Sequence, residues 1–509
     1  MKRLLVLGLL LIFTLIFTSP GAANMWNYTP PELENLVVFG DSLSDSGNLF
    51  SVTSGTSPDP EEYWQGRFSN GPSWPEITAD MMGIENVYLL AKQQAAGKTE
   101  GKASADDPDP MEAFQTPFFF NNAYGDADSS DTETNLGWQI AFWENNGMTI
   151  PDKTLVVVWI GANDLLGMDS ADNPGIYASG IVDSIYNSLK RIENLGAKYI
   201  AVCNIPDLGA TPRFKGTPDE ADATALTVLF NNFLESMVNK ENSDNVEVSC
   251  NYVDVYTMFE RVQERPAVYG ISNLDQAAMG LVEDFETADD YLFWDDLHPT
   301  RTAHKQLAAL IYCDFQYDKG WDGVDYLWTN GPWKQPIGLR GNECTVTSVH
   351  LANIGATAQK NRPKNSLHGL LDITVELPPG RNDAIIYVFL PEYMPSDYKC
   401  CKYVKGEWLD FFEVYQKTGG NQGARQEKDL RMVWIYLKDN GEYDLDRTVG
   451  VIRDPIAFGI VEKEKFTGSD DGGSCFVNAL DDMDNPTPLF VFCLCVPLFG
   501  LGLAVRRMR

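Results

Sequence analysis

Histidine is nearly absent, with four in 509 residues, so chemistry that needs an imidazole has few sources. Cations are scarce as well. Lys and Arg number 39 against 72 Asp and Glu, a formal charge of −33. Lys2, Arg3, Arg506, Arg507 and Arg509 sit in terminal stretches without acids, so the intervening chain is more acidic still. Affinity for nucleic acid comes mostly from cations meeting phosphates, and this balance argues against such a partner. No two of the nine cysteines have C-x-x-C spacing, and zinc and redox motifs are lacking. No internal repeat is found. The composition, 44% hydrophobic and 22% charged, excludes collagen-like, wholly disordered and many-span membrane chains. A chain of this length is expected to divide into two domains.

Both ends carry targeting patterns. A basic start, an apolar run over residues 4–17 and small residues at Gly21, Ala22 and Ala23 predict a signal peptide over 1–23. Export places the cysteines in an oxidising compartment, with at least one of the seven outside the tail left over from pairing. At the other end, the apolar stretch 488–505 followed by arginines fits a membrane anchor with its tip on the cytoplasmic side. It also resembles a bacterial C-terminal sorting signal that a protease clips; hydropathy does not separate the two. The expected location is a bacterial cell surface or outer envelope.

Between the ends the pattern changes once. Over 36–314, apolar runs such as LVVFG, LVVVWIG and KYIAVCNIPD alternate with helix-length segments, including 181–195 and 221–240. Continuous apolar strands of this kind predict a parallel sheet buried on both faces, hence an α/β domain. From about 343, alternating strands (LLDITVEL, AIIYVFLPEY, MVWIYLKD, GVIRDPIAFGI) separated by Gly, Asn and Asp predict an all-β sandwich-like module. The expected boundaries are 24–316 for the α/β domain, 317–341 for a Trp-, Gly- and Pro-rich linker, 342–470 for the β module, 471–487 for a polar stalk and 488–509 for the tail.

Three segments carry chemistry. VVFGDSLSDSGN places Ser42 at the end of a buried strand, where a parallel sheet forms its crevice. A helix starting there would aim N–H groups at charge developing beside Ser42. In isolation, Ser42 reads more readily as a cap or turn residue. WIGANDLL places Asn163, an amide able to donate to an oxyanion, after another buried strand. In FWDDLHPTRTAHKQL, Asp295 precedes His298 by three residues. One loop thus supplies an imidazole base and the carboxylate that orients it, with Pro299 set to begin a helix. His304 falls inside that helix and reads as a packing or capping residue.

Together these segments resemble the SGNH or GDSL hydrolases, most of all the branch of secreted lipases, phospholipases, lecithinases and thermolabile haemolysins. GRFSNGPSWPE, NLGWQIAFW and PAVYGISN extend the resemblance over about 35–315. It implies a three-layer, flavodoxin-like α/β/α fold, with Ser42 as nucleophile, His298 as base and Asp295 orienting it. The implied oxyanion hole joins the Ser42 and Gly125 N–H groups to the Asn163 side chain. Relatives tend to carry Gly-Gly-Ala where this chain reads NNAYGDADSS, so Asp126 stands for the second glycine and either Gly125 or Asp126 supplies the donor. No cofactor is implied.

The β strands more weakly resemble choice-of-anchor modules of bacterial surface proteins. Asp439, Asp444 and Asp446 are calcium candidates there, although no EF-hand pattern fits and an acidic turn is the plainer reading. The expected function is ester hydrolysis on a lipid or phospholipid. A polysaccharide O-acetyl esterase, an acyltransferase and a non-catalytic adhesin are the alternatives.

Overall fold

Apolar runs without a polar face are stable only between two covering layers. In the computed structural model, which describes residues 31–90, 92, 116–169, 172–316, 324–328, 336–357, 360–391, 393–427 and 431–461, such runs form the central sheet. The expected signal peptide, stalk and tail, and Cys475, Cys493 and Cys495, lie outside the described residues.

The sheet is built from β1 (Asn35–Gly40), β2 (Asn86–Leu89), β3 (Phe118–Asn121), β4 (Thr154–Trp159), β5 (Tyr199–Cys203) and β6 (Ser249–Val253), all parallel, in the order β2-β3-β1-β4-β5-β6. Without the edge strand β2, the order is the flavodoxin-like 2-1-3-4-5, whose crevice opens where the winding reverses, beyond the ends of β1 and β4. The strand pleat divides β1 between two helical layers. Leu36 and Val38 pack with Trp74 of α2 (Trp74–Met81), Phe259 of α7 (Val255–Glu264) and Leu307 of α8 (Arg301–Gln316). Val37 and Phe39 pack with Ile140 of α3 (Leu136–Asn145), Ile185 of α5 (Pro174–Asn194) and Phe230 of α6 (Glu220–Asp244). The three-layer expectation therefore holds. Two short helices, α1 (Asn48–Val52) and α4 (Ala162–Leu166), follow β1 and β4 at the crevice. A small parallel pair, β7 (Asn273–Ala277) and β8 (Tyr291–Phe293), leads into the His298 loop.

The C-terminal part is two antiparallel five-stranded sheets. One joins β9 (Asp325–Leu327), β10 (Ile337–Asn342), β13 (Asp383–Phe389), β17 (Met432–Lys438) and β16 (Gly423–Glu427). The other joins β11 (Thr345–Ala352), β12 (Leu370–Glu376), β18 (Val451–Ile460), β14 (Tyr398–Val404) and β15 (Glu407–Asp410). Inward residues of both, such as Ile386, Val433, Ile373 and Ile456, share one apolar core, as in two sheets packed face to face.

One expectation needs correction here. The segment taken as a linker holds β9 and most of β10; Gly338 disguised the latter, since a Cβ there would meet Val324 and Phe389 at 2.8 and 3.1 Å. The calcium candidates Asp439, Asp444 and Asp446 cap turns, the plainer of the two readings. Asp444 accepts from the N–H groups of Asn440, Asp446 and Arg453, Asp439 from Gly450, and Asp446 from Thr448. Among the described residues no cluster of three or more His, Cys, Asp or Glu is arranged to hold a metal.

The two parts share an interface. Arg265 forms a two-pronged pair with Asp325 at 2.7 and 2.8 Å, and Tyr269 donates to the same carboxylate at 2.6 Å. Among the described residues, Cys203, Cys313, Cys344, Cys400 and Cys401 are free thiols. Among the described residues no helix is long and apolar enough to cross a membrane.

Candidate active site

β1 ends where the backbone is closely held on both sides. The Gly40 peptide is read by the buried Gln139 side chain, which accepts from its N–H at 3.1 Å and donates to its C=O at 2.8 Å. A Cβ on Gly40 would lie 2.5 Å from the Trp159 carbonyl. The chain then turns over residues 41–44, with the Ser44 N–H donating to the Asp41 carbonyl and the Leu43 N–H to the Asp41 carboxyl. The expected helix at Ser42 is not formed. The helix begins at Asn48, because the Asp45 carboxylate accepts from Gly47, Asn48 and Leu49 and so fixes the first turn there. Ser42 sits at the tip, its N–H without an acceptor among the described residues.

On the opposite rim, the loop after β8 wraps around Asp295. One carboxylate oxygen accepts from the N–H groups of Leu297 and His298 at 2.8 and 2.5 Å. The other accepts from the Tyr63 hydroxyl and pairs with His298 Nδ1, both at 2.7 Å. His298 Nε2 reaches Ser42 Oγ at 2.7 Å. Three residues, two of them three positions apart in one loop and the third 256 positions from His298, thus form a continuous hydrogen-bonded line.

The imidazole ring packs against Phe68 with centroids 5.0 Å apart. The helix after the loop starts at Arg301, two residues later than the proline signal suggested, with Asn70 accepting its first N–H at 2.7 Å. His304 accepts from the Trp74 N–H at 3.2 Å and is fully buried, which pushes its pKa down to about 3 and keeps it a neutral packing residue.

Burial opposes charge on His298, but the Asp295 carboxylate outweighs it and, with Asp41 adding in the same direction, raises the imidazole pKa above its usual value. Asp295 is held well below the carboxylate range, because His298, its own loop N–H groups and the Tyr63 hydroxyl outweigh its desolvation. Asp41, beside Ser42, is pushed up to about 7 by burial. One of its carboxyl oxygens is buried with no hydrogen-bond partner among the described residues.

Asn163 is the second residue of α4 and lines the same cleft as Ser42 and His298. Its amide donates one hydrogen to the Ala127 carbonyl at 2.9 Å, leaving the second uncommitted among the described residues. Gly125 does not meet its expectation. Its N–H already donates to Asp45 at 2.9 Å, and its lack of a side chain serves packing, since a Cβ would fall 2.5 Å from Phe68. The neighbouring Asp126 is exposed and left-handed, with φ 61°, the conformation a glycine adopts freely. Its N–H has no acceptor among the described residues.

The cleft takes in about 490 Å³, solvent-open space included, and beyond Asp41, Ser42, Asn163 and His298 its walls are mostly apolar, among them Leu43, Ile205, Leu208, Phe259 and Leu297. Tyr63 and Asp41 were missed by sequence reasoning. Asp41 lies inside the GDSL segment, where its burial was the missing fact; Tyr63 carries no local signal, since its partner is 232 residues away.

A line of serine, imidazole and carboxylate, with the Asn163 amide in the same cleft as Ser42 and His298, can carry out acyl transfer. At 25% identity over 336 residues, covering 57% of this chain and 92% of the relative, the chain is similar to the phosphatidylcholine-sterol acyltransferase of Aeromonas hydrophila. It is also similar, at 25% over 297 residues covering 55% and 63% of the two chains, to the thermolabile hemolysin of Vibrio parahaemolyticus serotype O3:K6. Among solved structures, the acetylxylan esterase Axe2 of Geobacillus stearothermophilus aligns at 13% identity with a TM-score of 0.31, covering 57% of this chain and 98% of the other. The family model for GDSL-like lipases and acylhydrolases matches residues 36–311, more than half the chain, and the chain belongs to that family of hydrolases acting on ester bonds.

Proposed function

We propose that the chain is a serine esterase of lipid or phospholipid esters. Ser42 attacks the ester carbonyl while His298 takes its proton, and His298 then returns that proton to the departing alcohol. Asp295 holds the imidazole with Nδ1 protonated and favours its cationic form. The oxyanion is met by the Ser42 N–H, the free amide hydrogen of Asn163 and, in place of Gly125, the Asp126 N–H. Water releases the acyl group. The observation that carries this reading is His298 held at 2.7 Å from both Ser42 Oγ and Asp295.

The apolar cleft walls support a fatty acyl group, as do relatives named for phosphatidylcholine and haemolysis. Export through residues 1–23, a domain boundary after the α/β part, and attachment through residues 488–509 belong to the same proposal, supported by the sequence patterns alone. An acyl-enzyme also permits transfer to an alcohol, and the acyltransferase relative favours testing it. The test is a panel of phospholipid, triglyceride and acetylated sugar, each with and without an added sterol acceptor. Fatty-acid release from phospholipid is the expected result. Release of acetate from sugar with no fatty acid from any lipid would move the assignment to a polysaccharide O-acetyl esterase.

A further inference from the structure

The β sandwich contains one polar pairing that its core does not explain. Strands β14 and β18 are antiparallel neighbours, with Lys402 opposite Ile456. Asp454 lies two residues from Ile456 on the same strand, so Lys402 and Asp454 are diagonal neighbours on one face, within reach of a lysine side chain. That face is the inner one. Cys400, Ile456 and Phe458, which share its alternation, belong to the apolar core between the sheets. Both side chains are 0% exposed and in direct contact, Nζ against a carboxylate oxygen.

Neither group has another way to satisfy its charge. Lys402 Nζ and both Asp454 carboxylate oxygens have no hydrogen-bond partner among the described residues. The nearby carboxylates are engaged elsewhere: Asp372 pairs with Arg453, and Asp444 accepts backbone N–H groups. The ammonium also lies 5.5 Å from the centre of the Phe411 ring. A buried ion pair tends to survive desolvation only when further hydrogen bonds satisfy both partners, and here none does.

We propose that Lys402 and Asp454 are joined by an amide bond between Nζ and Cγ, an internal cross-link tying β14 to β18. The ammonium first passes a proton to the carboxylate, giving a neutral amine and a carboxylic acid. Nζ then attacks Cγ, the C–N bond forms, the C–OH bond breaks, and the hydroxyl leaves with a proton from nitrogen as one water. No oxidant, reductant or cofactor enters the balance. Burial favours the first step, since it pulls the Lys402 pKa down to about 7 and makes the neutral amine accessible. The product replaces two unsatisfied charges by one neutral amide, which an apolar core tolerates far better.

The test is peptide mapping of the full-length protein, folded as judged by its ester hydrolysis, then reduced, denatured and digested. The expected product is one branched peptide containing both Lys402 and Asp454, lighter by one water than the sum of its two arms. Lys402→Met and Asp454→Ala, if they fold, should each lack it, and their intact masses should differ from wild type by the side-chain change plus one water. Recovery of Lys402 and Asp454 only in separate linear peptides of the folded wild-type protein would overturn the proposal, whatever the variants do.

Discussion

At the scale of single residues, the site depends on how two acids and a phenol tune one imidazole. His298 must be neutral to accept the Ser42 proton, and its pKa is raised by Asp295 and Asp41 against the effect of burial. The acid limb of kcat/KM should therefore lie above the ordinary histidine value of about 6.5. Asp41→Asn keeps an oxygen for the Leu43 N–H but removes the charge, so the limb should move to lower pH. Tyr63→Phe should act in the opposite direction. Without the phenol hydrogen bond, the Asp295 charge falls more fully on His298 and the limb should rise. kcat should also drop roughly ten- to hundredfold, the value of a hydrogen bond to a charged group, with KM little changed. A pH–rate series on the two variants checks both signs, and loss of stability without any shift in the limb would show that neither residue tunes the base. The Asp295/His298 spacing was legible because both groups lie in one loop. Tyr63 and Asp41 were not, because distance in space and burial are properties of the fold.

At the scale of elements, strands were readable where apolar runs were long. β1, β4 and β5 are continuous apolar segments, whereas β3 has four residues and β2 is only partly buried, too little signal for a periodicity argument. The turn around Gly125 shows a subtler limit. A glycine in a motif read as an oxyanion donor is here a packing necessity: its N–H is held by Asp45, and Phe68 fills the space where a side chain would stand. Phe68 in turn packs on the His298 ring. Gly125→Ala should thus push Phe68 into the imidazole and lower kcat by at least tenfold. Phe68→Ala in the same background should restore part of the loss, whereas no recovery would return Gly125 to a direct role at the oxyanion. The β module tells a related story, since β10 was hidden by a glycine that lets two neighbouring side chains approach the backbone.

At the scale of the whole molecule, the α/β layer and the sandwich meet through Asp325, which is 3% exposed and holds both Arg265 and Tyr269. Removing one member of such a pair leaves a buried charge uncompensated. Asp325→Ala should cost about 3–5 kcal/mol of stability, measurable as a lower denaturation midpoint, while hydrolysis at low temperature persists because no site residue touches Asp325. An unchanged midpoint would mean the two parts fold independently of this contact. Above every other claim stands the convergence of Ser42 with His298 across the crevice. The most direct measurement is labelling with a fluorophosphonate, with the modified residue located by mass spectrometry. Ser42 should carry the label, and Ser42→Ala should lose both labelling and ester hydrolysis, on the order of 10⁶-fold for a serine nucleophile. Hydrolysis that survives in Ser42→Ala, or a label found on another residue, would contradict the assignment.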